Sequence, residues 1–147
     1  MGVVCRVVAT WAVAAVVAAI LILLLTGNLL AWSPVVIAVQ VLGVAVAAWA
    51  RRSFPPATFS VTAAPRGGAV IEQGPYRWVR HPQYSAVLML IWAGVLSHLS
   101  ALSLAVGVPI AVVAALRIAC EERLLTEKLP GYADYARRTR RLIPFVI

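Results

Sequence analysis

Residues 7–25 read VVATWAVAAVVAAILILLL, and no charge interrupts them. A helix rises about 1.5 Å per residue, so this run is about 28 Å long, close to the hydrocarbon thickness of a bilayer. Gly27 and Asn28 end it and begin a short turn. Pro34 opens a second run at the first helical position, where its missing N–H costs nothing. That run, residues 35–50, is closed by Arg51 and Arg52. The short connection predicts that the first two helices form an antiparallel hairpin. Only one basic residue, Arg6, precedes the first run, and no small-x-small site leads into a polar chain, so the run reads as a retained helix rather than a signal peptide.

Two further apolar runs follow. Residues 84–96 are introduced by Pro82; the polar tip Ser97-His98-Leu99-Ser100 then leads into residues 101–116, where Pro109 predicts a kink. From Arg117 the chain becomes charged and periodic. Glu121, Glu122, Arg123, Glu127 and Lys128 alternate with Leu124, Leu125 and Leu129, an amphipathic helix pattern that Pro130-Gly131 breaks. Residues 132–141 are basic and aromatic. Residues 51–83 hold five prolines and Gly67, Gly68 and Gly74, a spacing that no long helix survives, while Phe54, Phe59, Tyr76 and Trp78 argue for an ordered loop. The expected fold is all-α and polytopic: about four transmembrane helices, a cytoplasmic loop and a C-terminal helical cap. It is one membrane domain, made of an N-terminal hairpin (1–50), the loop (51–83), a second hairpin (84–117) and the cap (118–147).

Composition agrees. Hydrophobic residues make up 63%, charged residues 12%, and the mean hydropathy is +0.93; a soluble domain carries about a quarter charged residues. The net charge of +8 suggests anionic headgroups rather than nucleic acid, because no basic face studded with aromatics accompanies it. All 13 Lys and Arg residues lie in the N-terminal stub, the 51–83 loop or the tail from Arg117 onward, and the connections 26–33 and 97–100 carry none. Four crossings bring the basic regions to one side, which the positive-inside rule makes the cytoplasm, so the expected location is the cell (inner) membrane. Cys5 and Cys120 are far apart and read as small packing residues; no disulfide framework and no metal site is expected.

Two clusters carry chemistry. Gly74-Pro75-Tyr76-Arg77-Trp78-Val79-Arg80-His81-Pro82-Gln83-Tyr84 precedes the third run, and Arg117-Ile118-Ala119-Cys120-Glu121-Glu122-Arg123 follows the fourth. A hairpin between those runs brings both clusters to one membrane face. His81 precedes a proline, which holds its backbone extended. Arg117 and Glu121 are one helical turn apart. A carboxylate near the bilayer is costly unless paired or binding a cation, and tyrosine faces attract sulfonium or quaternary centres. The plain alternatives are an aromatic belt of Tyr76, Trp78 and Tyr84 and positive-inside anchors at Arg77, Arg80 and Arg123.

The segment GPYRWVRHPQY, the hydrophobic hairpin after it, Arg117 spaced from Glu121-Glu122, and LPGYADYARRTRRLIPF together resemble the isoprenylcysteine carboxyl methyltransferase family, whose wider group includes phospholipid N-methyltransferases. The resemblance covers about residues 70–145. It implies a membrane-embedded methyltransferase that uses S-adenosylmethionine, with S-adenosylhomocysteine as product, in a cytoplasmic pocket capped by the C-terminal segment. Tyr76, His81, Pro82, Gln83 and Tyr84 match the cofactor-binding motif, Val70 and Ile71 fall where a loop strand lines the pocket, and Glu121 matches the acidic residue that binds the cofactor. Arg117 matches the arginine that holds the acceptor, a catalytic and substrate-binding position, and Glu122 beside Glu121 is a second catalytic candidate. Gly68-Ala69 stand where relatives often carry a polar pair.

The implied acceptor is lipid-like. A carboxylate of the isoprenylcysteine type needs only a positive group to hold it, which Arg117 supplies. A phospholipid amine or a phenolic or thiol lipid would need a base, His81 or a glutamate. The competing class is a small non-enzymatic scaffold binding anionic lipid.

Overall fold

In the computed structural model, residues 3–53 and 70–143 are described, with side chains from Trp11 onward. The expectations for residues 54–69, including Phe54, Phe59 and Gly68-Ala69, and for 144–147 lie outside the described residues. These comprise five helices: α1 (Val3–Leu25), α2 (Pro34–Arg52), α3 (Pro82–Ser97), α4 (Ala101–Lys128) and α5 (Tyr132–Arg138), with a 3-10 turn at Gly74–Arg77. No strand occurs among them beyond one isolated bridge between Val79 and Arg140.

α1 is rich in Val and Ile, which favour strands in water. It is a helix because a single apolar segment can satisfy its own backbone polar groups only in that form. α2 and α3 each begin with a proline in the first turn. α4 begins with a reciprocal cap: Ser103 N–H donates to Ser100 Oγ at 3.1 Å and Ser100 N–H to Ser103 Oγ at 3.0 Å. α4 continues through Pro109 and absorbs the charged segment after Arg117, so the fourth run and the amphipathic stretch are one helix of 28 residues. It ends at Leu129-Pro130, and Gly131, at φ +82, makes a left-handed turn into α5 that a side chain would strain.

Among the described residues two helices, α2 and α4, are long and apolar enough to cross a membrane, against the four expected. α3 has 16 residues, about 24 Å of helix; α1 has 23 residues, of which the part with described side chains, Trp11–Leu25, is a shorter apolar stretch. The expected α1–α2 hairpin is not the principal packing either: α2 packs on α3, and α1 packs on α4. The turn after α1 carries the chain across, and its backbone is pinned to α3 rather than to α2 alone. A Cβ on Gly94 would lie 2.5 Å from the Leu29 carbonyl and 2.8 Å from that of Asn28. Gln40 of α2 donates to the carbonyl of Leu29 at 2.7 Å and to that of Leu90 at 3.3 Å, and His98 Nε2 lies 2.9 Å from the carbonyl of Leu30. The two charge-free connections therefore meet at one end of the bundle, over a core of Ala19, Leu23, Leu29, Ile91, Val95 and Ile110. Cys120 is disulfide-bonded rather than a plain packing residue.

Replacing Gly94 with alanine forces the turn away from α3. Overpacking of this kind costs about 1–3 kcal/mol, so G94A should unfold at a clearly lower temperature in detergent; an unshifted midpoint would show that the contact is slack.

Candidate active site

At the other end of the bundle the two sequence clusters meet. After the 3-10 turn, residues 78–81 run alongside 140–142. Arg140 N–H donates to the Trp78 carbonyl at 2.9 Å, Arg80 N–H to the Arg140 carbonyl at 2.7 Å, and His81 N–H to the Arg141 carbonyl at 3.0 Å. Ser85 Oγ donates to the Leu142 carbonyl at 2.5 Å. The chain after α5 thus lies as a strap across the start of α3.

Arg80 joins three segments. Its Nε donates to Glu122 Oε1 at 2.7 Å, and its Nη1 to the carbonyls of Ala136 at 2.8 Å and Thr139 at 2.5 Å. Glu122 Oε2 accepts from Arg141 Nε at 2.8 Å. Both Glu122 oxygens are therefore committed to arginines.

Glu121, one residue earlier on α4, turns the other way. Its Oε1 accepts from the Tyr84 hydroxyl at 2.6 Å and from Arg117 Nε at 2.9 Å, while its Oε2 faces His81 Nδ1 at 3.7 Å. The Arg117 guanidinium lies over the Tyr84 ring, 5.9 Å from its centre. His81 is 5% exposed. Its ring meets Tyr84 edge-on, and its Nε2, 3.5 Å from Glu122 Oε1, is buried without a hydrogen-bond partner.

Beneath the strap, Tyr135 donates its hydroxyl to the Tyr76 carbonyl at 2.8 Å. Burial pushes the Tyr135 phenol up to about 12, and burial also raises those of Tyr76 and Tyr132. All three remain neutral hydrogen-bonding groups at physiological pH.

These residues open into one cavity of about 430 Å³, within the range of small-molecule sites. Its polar end is lined by Tyr76, Arg80, His81, Gln83, Tyr84, Arg117 and Glu121. Its walls are aliphatic, from Ala12, Val13, Val16 and Val17 of α1, Val87 and Leu88 of α3, and Ile110, Val113, Ala114 and Leu125 of α4. Of the residues singled out from sequence, Tyr76, His81, Gln83, Tyr84, Arg117 and Glu121 meet here. Pro82 is buried at the start of α3 without lining the cavity, and Glu122 lies behind it. Val70 packs on Leu129, Tyr132 and Tyr135, and neither Val70 nor Ile71 reaches the lining. Two contributions escaped sequence reasoning. Arg80 lies in the first cluster but carries no sequence signal that separates a clasp from a membrane anchor, because its guanidinium partners lie 42 to 59 residues away, and the part of α1 that lines the cavity is apolar. Among the described residues no group of three or more His, Cys, Asp or Glu is placed to hold a metal.

The Arg80 clasp makes a stability prediction. Removing one partner of a buried, hydrogen-bonded pair costs about 3 kcal/mol, so R80A should be strongly destabilised. R123A breaks only the exposed pair with Glu127 and should cost under about 1 kcal/mol. Thermal unfolding of both in one detergent checks this, and equal shifts would remove the clasp from the account.

No curated protein matches this chain, and no solved structure does. A family model described as phospholipid methyltransferase matches residues 34–131, about two-thirds of the sequence, from the start of α2 to the turn before α5. The matched stretch contains both polar clusters and the helical pair between them, and the chain belongs to the phospholipid methyltransferase family.

Proposed function

We propose that the chain transfers a methyl group from S-adenosylmethionine to a membrane lipid at the polar end of the cavity. The observation that carries this reading is the meeting of His81, Tyr84, Arg117 and Glu121, drawn from both sides of the α3–α4 tip, in one cavity whose remaining walls are aliphatic. The family supports a methyltransferase with a lipid acceptor.

The residues fit the donor chemically. A carboxylate with one oxygen turned toward His81 suits an ammonium group. The rings of Tyr76 and Tyr84 suit a sulfonium, and the buried His81 Nε2 is a polar atom left without a partner. S-adenosylmethionine supplies a methyl group already activated on sulfur: the C–S bond breaks, its electron pair stays on sulfur, and the acceptor's lone pair forms the new bond. What remains for the protein is binding, alignment and the proton. Glu121, Tyr76, His81, Gln83 and Tyr84 hold the donor; Pro82 sets the first turn of α3, and Val70 packs on Tyr132 and Tyr135 outside the cavity. Arg117 holds the anionic group of the acceptor. Glu122, committed to Arg80 and Arg141, acts by keeping the His81 corner in place.

For the acceptor, a phospholipid amine fits the family description at least as well as a carboxylate does. Such an amine arrives protonated, so it needs a base, and His81 or Glu121 at the cavity's polar end takes that proton; its phosphate pairs with Arg117. The second reading is O-methylation of a carboxylate of the isoprenylcysteine type, favoured by the two cations Arg80 and Arg117 at the cavity's polar end. In this reading α1 to α4 of the single membrane domain cross the cell membrane, α3 as a short span, with the charged end in the cytoplasm.

Calorimetric titration of S-adenosylhomocysteine into the folded protein in detergent tests the donor site. Binding is expected, weakened by about tenfold to a hundredfold in E121A. R117A should mainly lower turnover. Absence of binding by folded wild type refutes the reading. Labelled methyl groups transferred into lipid extracts decide the acceptor: a base-stable product indicates an amine, a base-labile one an ester. Topology is checked in sealed cells: an impermeant thiol reagent should label L99C from outside and leave T126C untouched, and the reverse pattern would invert the orientation.

A further inference from the structure

One wall of the cavity comes from outside the family-matched residues. Val13, Val16 and Val17 of α1 face it, and the matched stretch begins only at residue 34. Positions three or four apart share a helix face. Ala12, Ala19 and Leu23 lie on the face that α1 turns into the bundle and are 6%, 3% and 0% exposed. Val13 and Val17 lie about 100° around the helix from them; they are 44% and 51% exposed and still line the cavity, so the aliphatic part of the cavity is a slot that opens at this flank of α1. The slot is about 10 Å deep, the helix rise between Arg117 and Ile110 on α4, and it stops at the core to which Ile110 belongs.

The slot offers no hydrogen-bond partner to a polar ligand. Burying the donor's polar groups there would cost their full desolvation, so the donor belongs at the polar end and the slot suits hydrocarbon. We propose that this stretch of α1 selects the acceptor by its chain: the hydrocarbon next to the reacting head lies between Val13 and Val17 on one side and Val87 and Ala114 on the other, enters from the bilayer through the exposed flank, and stops against Ile110. The inference rests on the methyltransferase reading and deepens it. Acceptor girth is then set by a helix that the family-matched stretch does not include, while the depth limit at Ile110 and the reacting head belong to residues that it does.

The variants V13F and V17F narrow the slot at its exposed rim, where a larger ring meets lipid rather than a filled core. V41F, on the exposed face of α2, is the control. Full-length protein in lipid nanodiscs is given labelled S-adenosylmethionine and phosphatidylethanolamines with hexanoyl, decanoyl or hexadecanoyl chains, or S-alkylcysteines of matching lengths where the label enters as an ester. The expected result is unchanged S-adenosylhomocysteine binding, with the ratio of long-chain to short-chain transfer falling about tenfold in V13F or V17F and staying constant in V41F. An unchanged ratio in both α1 variants overturns the inference while leaving the donor site standing. Loss of S-adenosylhomocysteine binding in V13F or V17F alone also overturns it, because the slot would then belong to the donor. Wild type that binds no S-adenosylhomocysteine defeats the methyltransferase reading itself, a result distinct from both.

Discussion

The guanidinium of Arg80 is the point on which the charged end of the molecule depends. It reaches Glu122 on α4 and the carbonyls of Ala136 and Thr139 on the chain beyond it, and so joins three segments beside the small cluster of Leu129, Tyr132 and Tyr135. A nearly buried cation is tolerated only when its donors are satisfied, and here the donors are satisfied by just those groups that hold the strap over α3. His81 follows Arg80 directly, so the clasp also decides where the imidazole sits: between Glu121 and Glu122, with Nδ1 toward one and Nε2 toward the other.

The two carboxylates show how adjacent positions on a helix take different work. Residues i and i+1 point about 100° apart, so Glu122 faces the arginines of the strap and Glu121 faces the cavity. Glu121 then meets Arg117, one turn back on the same face, and Tyr84 from α3. The pairing places an anion, a cation, a phenol and an imidazole within one small volume, an arrangement stable only because each charge has a partner.

The bundle's opposite end supplies the rigidity this requires. Gly94 lets the turn after α1 lie directly on α3, Gln40 and His98 tie the backbone there, and the aliphatic core sits immediately beneath. α1 packs on α4, with Ala12, Ala19 and Leu23 turned inward along its length. The cavity lies between that aliphatic core and the polar groups of the charged end, and both contribute to its lining.

From sequence alone, the apolar runs, the prolines at the starts of α2 and α3, the break at Pro130-Gly131 and the segregation of charge determined the helical elements and the end of the bundle that holds the chemistry. These are local matters, settled by hydropathy and by backbone rules that act within a few residues. The motif around His81 and the pair Arg117–Glu121 were legible for the same reason: their members lie within one or two helical turns. Only the tertiary structure decided that α1 packs on α4 rather than on α2, that Arg80 is the clasp, that Glu122 turns away from the cavity while Glu121 faces it, and that valines of α1 wall the slot. Each of those depends on partners tens of residues apart, and an apolar helix carries no signal in its own sequence for which neighbour it will meet, because in an apolar setting the choice is made by shape and by a few buried hydrogen bonds.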